Sequence, residues 1–219
     1  MYRGRIIACI TNRRLVKGDF LAQIERVAAM EMVDWIIVRE KDLRFEEYRQ
    51  LFAKVARIAH KGGKKCLAHG RIALGMMSEL GANGLHLPLD ALREWRAASG
   101  WRSAPQAGAV QIVGASAHSA SELAEAAALG ADYAMLSPIF ATACKPGVAP
   151  LGTAALAAAC QKSPIPIFAL GGIGMDKLDA CIEAGAAGCC MMSELMRCIY
   201  SICSVPLGLE FLKVHGTIK

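Results

Sequence analysis

Two cations stand one residue apart in Val38-Arg39-Glu40-Lys41. Where such a run leaves a β-strand, alternation places Arg39 and Lys41 on one face and Glu40 on the other. Two like charges sharing a face repel, so the pair suits a phosphate or carboxylate ligand. The alternative is an ion pair at the rim with Glu40 or Asp42. A second candidate is Gly114-Ala115-Ser116-Ala117-His118-Ser119. If Gly114 faces a site, Ser116 and His118 face it too. Histidine titrates near neutral pH, which fits His118 for acid–base work; otherwise it is a cap or surface residue ahead of a helix. Thr142, Cys144 and Lys145 offer a hydroxyl, a thiol and a cation in one loop. Cys144 as a nucleophile would need a partner base, which the sequence does not identify. Leu170-Gly171-Gly172-Ile173-Gly174 and Met191-Met192-Ser193 complete the set. Glycines let backbone N–H groups approach an anion, and a following helix N-terminus adds positive dipole.

These residues need a scaffold that brings them to one place. Short apolar runs alternate with amphipathic stretches along the whole chain. The expected strands are 6–11, 35–40, 65–68, 84–87, 110–116, 133–139, 166–170 and 188–192. The expected helices are 20–30, 45–60, 72–80, 92–98, 121–129, 153–160, 177–184 and 194–202. Strands that are apolar throughout are buried on both faces, and alternation with helices builds a parallel sheet. Eight such units predict an α/β fold, a (β/α)8 TIM barrel, as a single domain over residues 1–219. In that fold every candidate above lies at the C-terminal end of a strand, where barrel active sites form, and the exits of the seventh and eighth strands are a frequent phosphate site. An open doubly wound sheet would instead call for a glycine-rich turn after the first strand; Thr11-Asn12-Arg13-Arg14 stands there.

Composition narrows the function classes. With 54% hydrophobic and 20% charged residues the chain is not disordered. No run of about 20 apolar residues occurs, and Ile6–Ile10 is too short for a signal-peptide core, so a cytoplasmic protein is expected with no membrane partner. The net charge of +6 is not accompanied by a basic stripe interleaved with aromatics, which argues against nucleic acid. A mild positive excess suits a small anionic substrate. The nine cysteines form no Cys-x-x-Cys pair or metal-ligand spacing, so no zinc is expected, and Cys9, Cys66, Cys189 and Cys190, in apolar strand-like runs, read as small hydrophobes in a reducing compartment.

Taken in order, Val-Arg-Glu-Lys (38–41), His-Gly-Arg (69–71), Gly-Leu-His-Leu (84–87), Gly-Ala-Ser-Ala-His-Ser (114–119), Ala-Asp-Tyr (131–133), Pro-Ile-Phe-Ala-Thr-Ala-Cys-Lys (138–145), Pro-Leu-Gly (150–152) and Ala-Leu-Gly-Gly-Ile (169–173) resemble the thiamine-phosphate synthase and thiazole tautomerase family of small barrels. The resemblance covers about residues 35 to 195. It implies one of two reactions. The synthase joins a pyrimidine diphosphate to a thiazole phosphate, releasing pyrophosphate with Mg²⁺. The tautomerase shifts a proton to aromatise a carboxythiazole phosphate, without a metal. The resemblance implies that Arg39 and Lys41 face the anionic end of the substrate. It also implies that Thr142, Lys145, Gly171, Gly172 and Ser193 contact the thiazole phosphate, and that His118 is the acid–base residue of a tautomerase.

Departures from the synthase pattern bear on the branch. Synthases carry Asn-Asp-Arg where this chain has His69-Gly70-Arg71, and His-Leu-Gly-Gln-Glu-Asp where it has His86-Leu87-Pro88-Leu89-Asp90. Asp90 alone would be left to hold Mg²⁺. Thr142-x-Cys144-Lys145 replaces the synthase Thr-x-Thr-Lys. His69 matches neither branch. These differences make a metal-free tautomerase, an isomerase with His118 as its catalytic residue, the first expectation. Arg39, Lys41, His69, Ser116, Thr142, Cys144 and Lys145 would bind substrate, and Gly171, Gly172 and Ser193 the phosphate. No cofactor is expected, or Mg²⁺ if the chain is a synthase. The alternatives are that transferase and a non-catalytic regulatory barrel that binds a thiamine precursor. The expected partner is a small phosphorylated thiazole; self-association is left open.

Overall fold

The computed structural model describes residues 1–76, 81–99, 111–144 and 146–198. Eight parallel strands close into a barrel in sequence order: β1 (Ile6–Ile10), β2 (Trp35–Val38), β3 (Lys65–His69), β4 (Gly84–Leu87), β5 (Ile112–Ala117), β6 (Tyr133–Leu136), β7 (Ile167–Leu170) and β8 (Gly188–Met191). Around them lie α1 (Phe20–Ala29), α2 (Phe45–Lys61), α3 (Leu89–Ser99), α4 (Ala120–Ala128), α5 (Gly152–Lys162), α6 (Leu178–Glu183) and α7 (Ser193–Arg197). This is the expected (β/α)8 barrel. Among the described residues, no helix is long and apolar enough to cross a membrane.

The strands are apolar on both faces because each face has its own core. Ile7, Cys9, Ile36, Val38, Cys66, Ala68, Val113, Ala115 and Cys189 point out to the helices. Ala8, Ile10, Trp35, Ile37, Leu67, Tyr133, Met135, Phe168 and Cys190 fill the barrel. Cys9, Cys66, Cys189 and Cys190 are buried free thiols, acting as small hydrophobes. Three aromatic rings plug the interior: Tyr133 lies 4.7 Å from Phe168 and 5.4 Å from Trp35, centroid to centroid. Facing glycines make room for them. A Cβ on Gly188 would sit 2.8 Å from the Phe168 ring, and one on Gly114 would collide with the Tyr133 ring. Gly114 therefore faces inward, which settles the parity of β5.

An Asx residue pins the entry of three strands. Asp34, Asn83 and Asp132, each just ahead of a strand, accept the backbone N–H of Ile7, Cys66 and Val113 on the preceding strand at 2.9, 2.7 and 2.7 Å. Helix α2 buries Tyr48, Phe52, Val55, Ala56 and Ala59, the spacing of one helical face.

Three expected elements differ. The second and sixth strands end earlier, at Val38 and Leu136. Pro138 has no N–H for the ladder, and Glu40 turns away into contacts with the end of β1. After β3 a 3-10 turn, Arg71–Met76, stands in place of the helix expected from residue 72; residues 77–80 lie outside the described ones. Its entry, Gly70, has φ of +90°, a conformation that suits glycine.

Candidate active site

Register places a polar row across the mouth. Val38 pairs with Ala68, and His69 pairs with His86, so Arg39, His69 and His86 follow one another on adjacent strand exits. Tyr48 fixes the first two of these exits from outside: its hydroxyl donates to the Val38 carbonyl at 2.6 Å and accepts the His69 N–H at 3.0 Å.

The carboxylates near Arg39 and Lys41 are already taken. Glu40 is 4% exposed and accepts from the Thr11 hydroxyl at 2.8 Å, the Arg13 N–H at 3.0 Å and Arg13 Nη1 at 3.0 Å. Asp42 accepts from both Nη groups of Arg13, at 2.7 and 2.6 Å, and from Arg14 at 2.7 Å. Arg13 holds the Asp42 carboxyl far below the ordinary range. Among the described residues, neither Arg39 nor Lys41 lies within ion-pair distance of a carboxylate. The two cations feel each other instead: Arg39, and then burial, lower the Lys41 pKa. The rim ion pair through Glu40 or Asp42 is thus formed by Arg13, and Arg39 and Lys41 stay available to a ligand. Thr11 Oγ1 also accepts the Arg39 N–H at 2.9 Å, linking Glu40 to the backbone of Arg39.

His69 stacks on His86 with ring centroids 5.4 Å apart. Burial, His86, Arg39 and Lys41, in that order, push its pKa well below the usual histidine value, so its ring is neutral between two cations. His86 is fully enclosed, with Nδ1 3.0 Å from the Tyr133 hydroxyl and Nε2 2.9 Å from Ser116 Oγ. Burial pushes its pKa down to about 3. Ser116 is half-buried at the mouth, as the inward face of Gly114 requires.

His118 shares that strand face but sits at the exposed rim. Its Nδ1 donates to the Ser137 carbonyl at 2.8 Å, and its backbone N–H donates to Glu122 at 2.6 Å. The loop after β6 lies against the β7 exit: Ile139 N–H donates to Leu170 and Phe140 N–H to Gly171, at 2.9 and 3.0 Å. Gly171 and Gly172 have φ of +101° and +63°, and a Cβ on either would strike this loop at Pro138 or Ala141. Their first requirement is close packing. Among the described residues, the N–H groups of Gly172 and Ile173 donate to no protein acceptor. Leu170 pairs with Cys190, so Ser193, half-buried at the start of α7, follows on the next exit. Thr142 accepts the Cys144 N–H at 3.3 Å, and Cys144 is an exposed free thiol. Lys145 lies outside the described residues.

The structure therefore gathers Arg39, Lys41, His69 and Ser116 on one side of the mouth, and places Thr142, Gly171, Gly172 and Ser193 on the strand exits that continue the rim. His86, Tyr133 and Thr11 had no role in the sequence reading. Gly84 and His86 share one parity, and a Cβ on Gly84 would meet Ile112 and Leu67, so both face the barrel interior.

A family model for thiamine monophosphate synthase matches residues 7–195. The chain belongs to the thiamine-phosphate synthase family. A relative in Aquifex aeolicus (strain VF5), named for thiamine-phosphate synthase, is 32% identical over 188 residues, covering 86% of this chain and 96% of its own length. The thiamine-phosphate synthase of Syntrophomonas wolfei is 31% identical over 188 residues, covering 85% and 86%. Thiamine phosphate pyrophosphorylase from Pyrococcus furiosus has the same fold, with a TM-score of 0.71 at 22% identity over 90% of this chain and 89% of its own. The relatives are named for the synthase, so the expectation of a tautomerase, an isomerase, is overturned. Gly70, the shortened exit after β4 and Cys144 are differences within a synthase-like chain. His118 as the proton shuttle of that reaction falls with it.

A family of this kind implies Mg²⁺, and the described carboxylates nearest the β3 and β4 exits are engaged with arginine. Asp90 is exposed; its Oδ2 accepts from Arg71 Nη2 at 2.7 Å and its Oδ1 from the Ala91 N–H at 2.8 Å. Arg71 also binds Glu94, so one guanidinium commits both carboxylates. Among the described residues, no three His, Cys, Asp or Glu side chains converge as metal ligands.

Proposed function

We propose that this chain is a thiamine-phosphate synthase, a transferase that joins a pyrimidine diphosphate to a thiazole phosphate. The thiazole nitrogen forms a bond to the pyrimidine methylene carbon as the carbon–oxygen bond to the diphosphate breaks, and pyrophosphate leaves. The observation that carries this reading is the unpaired Arg39–Lys41 couple at the β2 exit. Fixed cations placed where charge develops on a leaving group stabilise the transition state, and they need no reorganisation at the moment of reaction. The Glu40–Thr11–Arg39 linkage holds that couple in place.

The second anion, on the thiazole, falls to the free N–H groups of Gly172 and Ile173, with Ser193 on the next exit and Thr142 in the adjoining loop. Two anion-facing features on separate exits match a reaction with two phosphorylated substrates. His69 stands on the next exit, stacked on His86, and contributes shape to that side of the mouth. Among the described residues, the charge at the β2 exit is that of Arg39 and Lys41. The test is complementation. Expression of this chain should restore thiamine-independent growth to a bacterium lacking its own thiamine-phosphate synthase. Failure to do so, with the folded protein present in the cells, overturns the proposal.

A further inference from the structure

Beneath the mouth lies a hydrogen-bonded chain of three side chains, Tyr133, His86 and Ser116. Tyr133 is 2% exposed, and among the described residues its hydroxyl meets one partner, His86 Nδ1, at 3.0 Å. His86 is 1% exposed and its Nε2 meets Ser116 Oγ at 2.9 Å. Gly114, paired with both His86 and Tyr133, leaves the space that the phenol occupies. The direction of each bond follows from satisfying buried donors. A buried phenol O–H must donate, and the nitrogen beside it is its acceptor. A neutral imidazole whose Nδ1 accepts carries its proton on Nε2. That proton points at Ser116, whose oxygen accepts it. Among the described residues Ser116 has no other partner, so its own proton is left for the mouth.

We propose that Tyr133 and His86 are positioning residues that fix the polarity of Ser116, making it a hydrogen-bond donor to an acceptor oxygen of the diphosphate. The chain runs from Tyr133 O–H to His86 Nδ1, from His86 Nε2–H to Ser116 Oγ, and from Ser116 O–H to the ligand. Burial supports it, since His86 stays neutral through the physiological range and cannot donate from both nitrogens. The choice of diphosphate as the acceptor rests on the synthase reading; the direction of the chain does not.

Histidine side-chain ¹⁵N NMR on the unaltered protein reads the chain directly. The resonance assigned to His86 should report a neutral ring protonated on Nε2 from pH 8 to pH 5. Protonation on Nδ1, or titration near the ordinary histidine value, overturns the proposal. Calorimetric titration with inorganic pyrophosphate tests the ligand end. Ser116→Ala should weaken binding about 5- to 10-fold and Tyr133→Phe about 3- to 5-fold. In the Ser116→Ala background Tyr133→Phe should add less than 2-fold. An undiminished affinity in Ser116→Ala, or additive losses in the double variant, contradicts the assignment. If Tyr133→Phe fails to fold, the NMR result on the unaltered protein still decides. Loss of the expected tautomer in a protein that still forms thiamine phosphate would sink this inference while leaving the synthase reading intact.

Discussion

Arg13 Nη1 lies 3.0 Å from Glu40 Oε2, at the junction of the β1 and β2 exits. Glu40 alternates with Arg39 and Lys41 along the chain and would be their natural counter-ion. Arg13 takes it instead, and Arg14 joins Arg13 on Asp42. The basic pair Arg13–Arg14 thus neutralises the local carboxylates, and the cations at the mouth are left to the ligand.

Arg39→Met and Lys41→Met should each raise KM for the pyrimidine diphosphate about 10-fold or more. A hydrogen bond to a charged group contributes about 1.5–3 kcal/mol. The KM for thiazole phosphate should change less than 3-fold if, as proposed, that anion binds at the β7 exit. Steady-state kinetics with each substrate varied separately distinguishes the two; equal effects on both would count against separate anion sites.

Glu40→Ala should cost about 2 kcal/mol of stability, since it strips partners from the buried Thr11 hydroxyl and the Arg13 N–H. It also frees Arg13 and loosens the Thr11 contact to the Arg39 backbone, so pyrophosphate affinity should fall together with the urea midpoint. An unchanged midpoint would show that the cluster is not structural.

Pyrophosphate should still bind in excess chelator, because Arg39 and Lys41 supply the charge and Asp90 is committed to Arg71. Asp90→Asn should change this affinity less than 2-fold. Calorimetry that finds no pyrophosphate binding without added Mg²⁺ would contradict the charge assignment.

Stability should fall between pH 7.5 and pH 5. His86 is neutral when folded, with its pKa pushed down to about 3, and sits near 6.5 in the unfolded chain. Between these values the unfolded state binds a proton that the folded state does not, so stability is lost as pH drops. Over this range His86 alone accounts for about 2 kcal/mol, and His69, shifted the same way, adds to it. Urea unfolding of the unaltered protein and of His86→Gln at the two pH values measures the difference. An equal loss in both would place the effect elsewhere.

The barrel was legible because its strands are short, apolar on both faces and separated by helical stretches of regular length. Parity along β5 was legible only as a condition on Gly114, and the Tyr133 ring that this glycine makes room for is a tertiary contact that settles it. The strand ends were not. Proline at 138 and the inward pull of Thr11 on Glu40 act through tertiary contacts, which periodicity does not carry. The site residues could be collected from strand exits, but their partners could not. Nothing in the spacing of Arg13 and Glu40, 27 residues apart, announces an ion pair. The branch was misread for a related reason. Gly70, Cys144 and the shortened exit after β4 are departures at a few positions, whereas the match over residues 7–195 carries the family.

The most direct measurement is ³¹P NMR of the purified protein mixed with hydroxymethylpyrimidine diphosphate and thiazole phosphate, Mg²⁺ included. Thiamine phosphate and free pyrophosphate should appear in equal amounts, at a rate that falls at least 10-fold in the Arg39→Met variant at subsaturating diphosphate. Two substrates that persist unchanged beside folded protein would contradict the synthase assignment.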